Sequence, residues 1–147
     1  KIIRVLSFCL MPNHFHFLVQ QLKDNGISNF ISQLSNSYTK YFNTKYSRVG
    51  PLLQGAFKAV RIETDEQLIH VSRYIHLNPV VSGFTKTPEN YKWSSYSEYI
   101  NQNPIHCSIE NVMSFFKSPQ QYQQFVEDQI DYGSKLETIK HHLIDEE

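Results

Sequence analysis

Residues 10–20, Leu-Met-Pro-Asn-His14-Phe-His16-Phe-Leu-Val-Gln, constrain the chain more than any other stretch. From His14 onward polar and apolar residues alternate, which is the period of a β-strand. His14, His16, Leu18 and Gln20 then share one face, and Phe15, Phe17 and Val19 share the other. The phenylalanine face is apolar enough to lie on a core. The histidine face presents two imidazoles side by side, a pairing that suits one divalent metal ion. A bare His-x-His also arises as two polar residues on the wetter side of a sheet, so the choice between them rests on residues farther along the chain.

The rest of the chain bounds the answer. At 147 residues it is one domain, or one domain with a tail. No apolar run reaches the length of a membrane span. The opening residues read as too short and too interrupted for a secretory leader, and the lack of an initial Met leads to the expectation that the native amino terminus lies upstream. Cys9 and Cys107 have neither metal-type nor framework spacing, which fits two reduced thiols in a cytoplasmic protein. Net charge is zero but unevenly spread. Residues 1–100 hold 11 Lys/Arg and 6 Asp/Glu; residues 101–147 hold 3 and 8. A basic front suits a polyanionic partner, although charge by itself supports nucleic-acid binding only weakly.

In chain order, residues 2–10 read as a buried strand, Met11-Pro12-Asn13 as its interruption, and residues 14–21 as the second strand of an antiparallel hairpin. Apolar residues at 27, 30, 31, 34, 38, 41 and 42 mark an amphipathic helix over roughly 27–44, its aromatic stripe expected in the core. Residues 52–62 read as a strand, with Gln54-Gly55 as a bulge or a close backbone approach. Thr64-Asp-Glu-Gln67 is a capping box opening a helix over about 65–77, which Asn78-Pro79 should end. Tyr74 then sits in its last turn, with His70 and Asn78 four residues away on the same side. Residues 80–87 read as a short strand or extended link, and Trp93 as a packing anchor rather than a base-stacking platform. Residues 109–116 suggest a short helix. Ser118-Pro119-Gln120-Gln121 starts another, and Leu136, Ile139 and Leu143 suggest a last one.

His14-Phe-His16 on a strand, followed by Tyr74-Ile-His-Leu-Asn78-Pro79-Val80 closing a helix, closely resembles the single-tyrosine HUH transposases (His, hydrophobic residue, His), and most of all the REP-associated tyrosine transposases. The likeness runs through Met11-Pro12-Asn13, Tyr38-Thr-Lys-Tyr-Phe42, Arg48-Val-Gly50, Gln54-Gly55, Phe57-Lys58, Arg73-Tyr74 and Trp93-Ser-Ser95, and covers roughly residues 5–100.

The resemblance implies an α+β fold: a ferredoxin-like, RRM-like antiparallel sheet with helices packed on it. Residues 1–100 would form the transposase domain, without the first strand and helix usual in the family, and 101–147 an acidic helical C-terminal extension. It implies Mg²⁺ or Mn²⁺ on His14 and His16, with Asn78 as third ligand or, alternatively, as a helix cap. His70 and His76 are further candidates for base or ligand. Tyr74 would attack a phosphodiester, giving a 5′-phosphotyrosine and a free 3′-hydroxyl. Phenols are almost wholly protonated at neutral pH, so a nearby ion or base must help. Lys40, Lys45, Arg48, Lys58, Arg61 and Arg73 are candidate phosphate contacts to single-stranded or hairpin DNA. The implied setting is a prokaryotic cytoplasm with no membrane role, the family comprising monomers and homodimers. The alternative is a domesticated, non-catalytic DNA-binding regulator of the same fold. A plasmid nickase fits the single tyrosine and the Asn-Pro-Val context less well, and a structural zinc site lacks ligands.

Overall fold

A computed structural model describes residues 1–131, and the last helix expected around 136–143 lies outside the described residues. The fold is α+β, a two-stranded antiparallel sheet packed against helices. In order come β1 (Ile3–Leu10), β2 (Phe15–Gln21), α1 (Gly26–Lys45), α2 (Asp65–Val81), a 3₁₀ turn at Pro88–Asn90, α3 (Tyr96–Ile100), α4 (Glu110–Met113) and α5 (Pro119–Glu127). The chain divides into two compact units.

The first unit comprises Lys1–Arg4 and Val19–Arg61. The Ile2 carbonyl accepts the N–H groups of Leu22 at 3.0 Å and Lys23 at 3.3 Å, which closes the open end of the hairpin. Gly26 lies so close to that carbonyl that any Cβ would collide with it, so the first residue of α1 has to be glycine. The aromatic stripe of α1 is not core, contrary to its periodicity. Gly26 is the one buried residue of the helix, and Tyr38, Tyr41 and Tyr46 are about half exposed. Amphipathic spacing shows that a face is apolar and does not supply the layer that would cover it. Residues 52–61 are likewise irregular and largely exposed rather than a strand, because a strand needs a hydrogen-bonding neighbour and none of the described residues provides one. Gly55 is a turn residue at φ +69° with open space around it, not a close approach.

The second unit comprises Val5–Leu18 and the described residues from Ile62 onward. Here the far edge of β1 is covered by loop backbone. Cys9 pairs with Ser94, Leu10 N–H donates to the Trp93 carbonyl at 2.8 Å, and Ser95 N–H donates to Phe8 at 3.0 Å. The core joins Leu6, Cys9 and Leu18 of the hairpin to Ile75 and Leu77 of α2, Tyr96 and Tyr99 of α3, Val112 of α4, and Tyr122 and Val126 of α5. Both capping motifs form. Thr64 accepts the Gln67 N–H and Ser118 the Gln121 N–H, each at 3.1 Å, and each glutamine reaches back to the N–H preceding its cap.

Two expectations for α2 and its sequel change. The helix runs through Pro79 to Val81 instead of stopping at residue 77, so Tyr74 lies mid-helix, and Val80 and Val81 are helical. Pro79 removes one helical N–H, but residues 75–80 are buried on every side, and that packing outweighs the local preference of a residue before proline. Trp93 is no packing anchor. It is 53% exposed, and the core aromatics are Tyr96, Tyr99 and Tyr122.

These buried polar rings need partners. Tyr99 donates to the Leu6 carbonyl at 2.6 Å. His76, fully buried, meets the Tyr122 hydroxyl through Nδ1 at 2.7 Å and Ser95 Oγ through Nε2 at 2.8 Å, while Ser72 Oγ meets the same tyrosine oxygen. One proton assignment satisfies every member. Ser72 donates to Tyr122, Tyr122 to His76 Nδ1, His76 Nε2–H to Ser95, and Ser95 to the Phe8 carbonyl at 3.2 Å. It requires a neutral His76. Glu98 is a second buried polar centre. Burial alone would raise its carboxyl, but the His106 ring and the backbone N–H groups of Cys107, His106 and Ile105 outweigh burial and hold it below the usual carboxylate range.

Burial lowers the His76 pKa from 6.5 to about 3, so the unfolded chain binds a proton there that the folded chain refuses. The resulting stability is fully present above the unfolded value and is lost as pH falls from 6.5 toward 3. The expected slope is up to about 1.4 kcal/mol per pH unit. Urea denaturation across that range should show it in the parent chain, and the slope should be shallower in His76→Gln.

Candidate active site

The hairpin turn places the first imidazole. Met11 N–H donates to the His14 carbonyl at 2.8 Å across Pro12-Asn13, so His14 stands at the turn of the hairpin, one residue before β2. Its Nδ1 lies 2.6 Å from Asn13 Oδ1, an oxygen that can only accept. Nδ1 is therefore the donor, which in the neutral tautomer leaves the lone pair on Nε2.

His16 comes next on the same strand face, its ring perpendicular to that of His14 with centroids 4.9 Å apart. This face carries the buried Leu18, whereas Phe15, Phe17 and Val19 are only partly covered. Leu18 thus seats the middle of the histidine face in the core, while His14 and Gln20 at its ends are exposed. His16 Nε2 is buried without a hydrogen-bond partner among the described residues. Burial, and then the neighbouring His14, lower the His16 pKa, so the ring is neutral at physiological pH.

The third ring comes from α2. Tyr74 meets His16 edge to face at 5.7 Å between centroids and is 57% exposed. His14, His16 and Tyr74 thus form one row, half enclosed at His16 and open to solvent at both ends. Asn78 falls four residues after Tyr74 on a helix that stays regular, which removes the helix-cap reading. It is 8% exposed, and its Oδ1 has a long 3.5 Å contact from Ser82. Among the described residues no three His, Cys, Asp or Glu side chains cluster as a metal site. An ion held by the two histidines would need a third ligand of another type. A neutral imidazole with a buried, unpartnered Nε2 and a second with its free lone pair fixed by Asn13 suit a divalent cation.

The other candidates separate. His76 has both ring nitrogens engaged in the core, so it is neither base nor ligand. His70 Nδ1 accepts from Arg73 at 2.7 Å, and its Nε2 lies 3.8 Å from Glu66. Arg73 turns to α5. It stacks on Phe125 at 4.2 Å and donates to the Phe125 carbonyl at 3.3 Å. Arg48 staples its own loop, donating to Asn43 Oδ1 at 2.8 Å and to the Pro51 carbonyl at 2.9 Å. Lys40 and Lys45 line an open groove on α1 with Ser37, Tyr41 and Thr44. Lys58 and Arg61 lie exposed in the irregular segment.

Sequence reading missed the groups that hold the row together. Ser95 accepts the Phe8 N–H at 2.9 Å and contacts His76, so one hydroxyl ties β1 to α2. Tyr122 then ties α2 to α5. Ser95 belongs to the Trp93-Ser-Ser95 likeness and Tyr122 to the apolar side of α5, but neither position signals a hydrogen bond to His76, which only the three-dimensional contact reveals.

A family model described as "Transposase IS200 like" matches residues 1–78, which include both histidines, Tyr74 and Asn78. No curated protein and no solved structure matches the chain.

Ser95→Ala deprives the Phe8 N–H and His76 of a partner at once. The expected cost is about 1–3 kcal/mol, read as a lowered urea midpoint with the slope unchanged.

Proposed function

The chain belongs to the IS200-like transposase family, and from that premise we propose that it cuts and rejoins single-stranded DNA through a 5′-phosphotyrosine, at sites flanked by hairpins. The observation that carries this reading is the contact of the Tyr74 ring with a histidine whose Nε2 is buried and has no hydrogen-bond partner among the described residues.

In the proposed reaction the Tyr74 oxygen attacks phosphorus, and its proton leaves to solvent. A new O–P bond forms, the bond from phosphorus to the 3′ oxygen breaks, and that oxygen gains a proton. The product is still a phosphodiester, so a 3′-hydroxyl can reverse the step without an external energy source. This suits strand exchange better than degradation. The exposure of Tyr74 lets a flexible strand reach it, and the stiffness of mid-helix backbone keeps the phenol directed. His14 and His16, with Asn78 as third ligand, would hold Mg²⁺ or Mn²⁺, which supplies charge withdrawal from a non-bridging phosphate oxygen.

Lys40, Lys45, Lys58 and Arg61 would meet the DNA backbone. Arg48 and Arg73, candidates as well, also hold the protein's own loop and helix. Residues 1–100 would be the transposase domain and 101–147 an acidic extension. The setting would be a prokaryotic cytoplasm; among the described residues no helix is long and apolar enough to cross a membrane.

Incubating the parent chain with labelled hairpin DNA bearing single-stranded flanks, in Mg²⁺ or Mn²⁺, should yield a covalent adduct that maps to Tyr74. Tyr74→Phe should form no adduct; cleavage at parental rate would refute the assignment. Mn²⁺ should broaden the imidazole NMR signals of His14 and His16 before those of His70 and His106, and His16→Ala should abolish the effect at His14.

A further inference from the structure

We propose that Trp93 and Lys92 form a stacking platform for an unpaired DNA base beside the row of His14, His16 and Tyr74; the inference rests on the single-strand reading above and adds a binding site to it. Trp93 is 53% exposed, while its immediate successors Ser94, Ser95 and Tyr96 are buried. A ring of that size is ordinarily the first to be covered by a core.

Its exposure does not come from loose backbone. The Trp93 carbonyl accepts the Leu10 N–H at 2.8 Å, Ser94 bridges Cys9, and the Tyr91 hydroxyl donates to the Leu10 carbonyl at 2.8 Å. Tyr91, Trp93 and Ser94 are thereby fixed to Cys9 and Leu10, and the indole is presented from a rigid edge. The same edge leads to the histidines. Leu10 precedes Met11, whose N–H is bonded to the His14 carbonyl, so two backbone hydrogen bonds and one peptide separate Trp93 from His14.

Charge points to the occupant. The Lys92 ammonium lies over the indole at 4.8 Å from the ring centroid. A cation beside an exposed aromatic face is the pairing that binds single-stranded nucleic acid, the ring taking a base and the cation its phosphate. A duplex offers no free base face, so the platform discriminates single from double strands. Stacking tolerates any base, so it contributes no sequence preference.

The chain has one tryptophan, so its fluorescence reports on this site alone. Oligothymidylate added to the parent chain without metal should quench the emission, and its blunt duplex with oligoadenylate should not. Trp93→Ala should bind labelled oligothymidylate on the order of ten-fold more weakly, with duplex affinity unchanged. Trp93→Phe should recover most of the loss. Lys92→Ala should reduce the salt dependence of binding by about one charge.

Unchanged emission while the strand binds, or equal affinity of parent and Trp93→Ala, would overturn the platform and leave the transposase reading standing. A parent that binds neither strand nor duplex would overturn both. A Trp93→Ala chain that changes sedimentation at unaltered DNA affinity would assign the indole to a second copy of the chain and would also overturn the proposal.

Discussion

A chain of hydrogen bonds through a buried neutral imidazole sets the geometry of the second unit. His76 stands in the core with Tyr122 on one nitrogen and Ser95 on the other, and each of these reaches a different element. Ser95 holds the edge of β1 and Tyr122 rises from α5. In a low-dielectric interior such a network is costly to satisfy in part, so it selects one arrangement of strand and helix rather than a family of similar ones. That specificity matters because His76 is two residues from Tyr74. Fixing the rotation of α2 about its axis fixes where the phenol emerges.

The exposed Tyr74 of α2 and the histidine face of β2 then meet at His16. An unpartnered nitrogen there is a cost the fold sustains, since a buried polar atom without a bond loses its hydration and receives nothing in return. Ser7 Oγ, Tyr96 Oη and Asn111 Oδ1 share that condition among the described residues, whereas Glu98 collects three backbone N–H groups and a ring nitrogen. What sets His16 apart is its contact with the Tyr74 ring. Arg73 is turned elsewhere. Its position next to Tyr74 suggests a phosphate contact, yet its stacking on Phe125 makes it part of the grip between α2 and α5.

Much of this was legible in the sequence wherever the signal is local. The capping residues Thr64 and Ser118 form as their spacing requires, and the interval of four between Tyr74 and Asn78 holds because the helix stays regular. The pairing of His14 with His16 follows from strand period alone. What could not be read are outcomes decided by neighbours. The segment 52–62 has strand composition and no partner strand among the described residues. The stripe of α1 has helical period and little cover. Pro79 is a helix stop by local rule and is overruled by the burial of the residues around it. Whether Trp93 points in or out depends on a bridge to Cys9 that lies more than eighty residues back in the chain.

Tyr122 and Val126 are wholly enclosed, and they share one core with Leu18 of the hairpin and Ile75 of the second helix. A gene that lost everything after the codon for Ile100 would still encode both histidines and the phenol. Its product would take Tyr122 away from His76 Nδ1 and remove Val112, Tyr122 and Val126 from the core that the hairpin and helix share. Residues far from the histidines and the phenol are therefore part of what holds those three rings in place, and a chain shortened at that end loses stability without losing any of them.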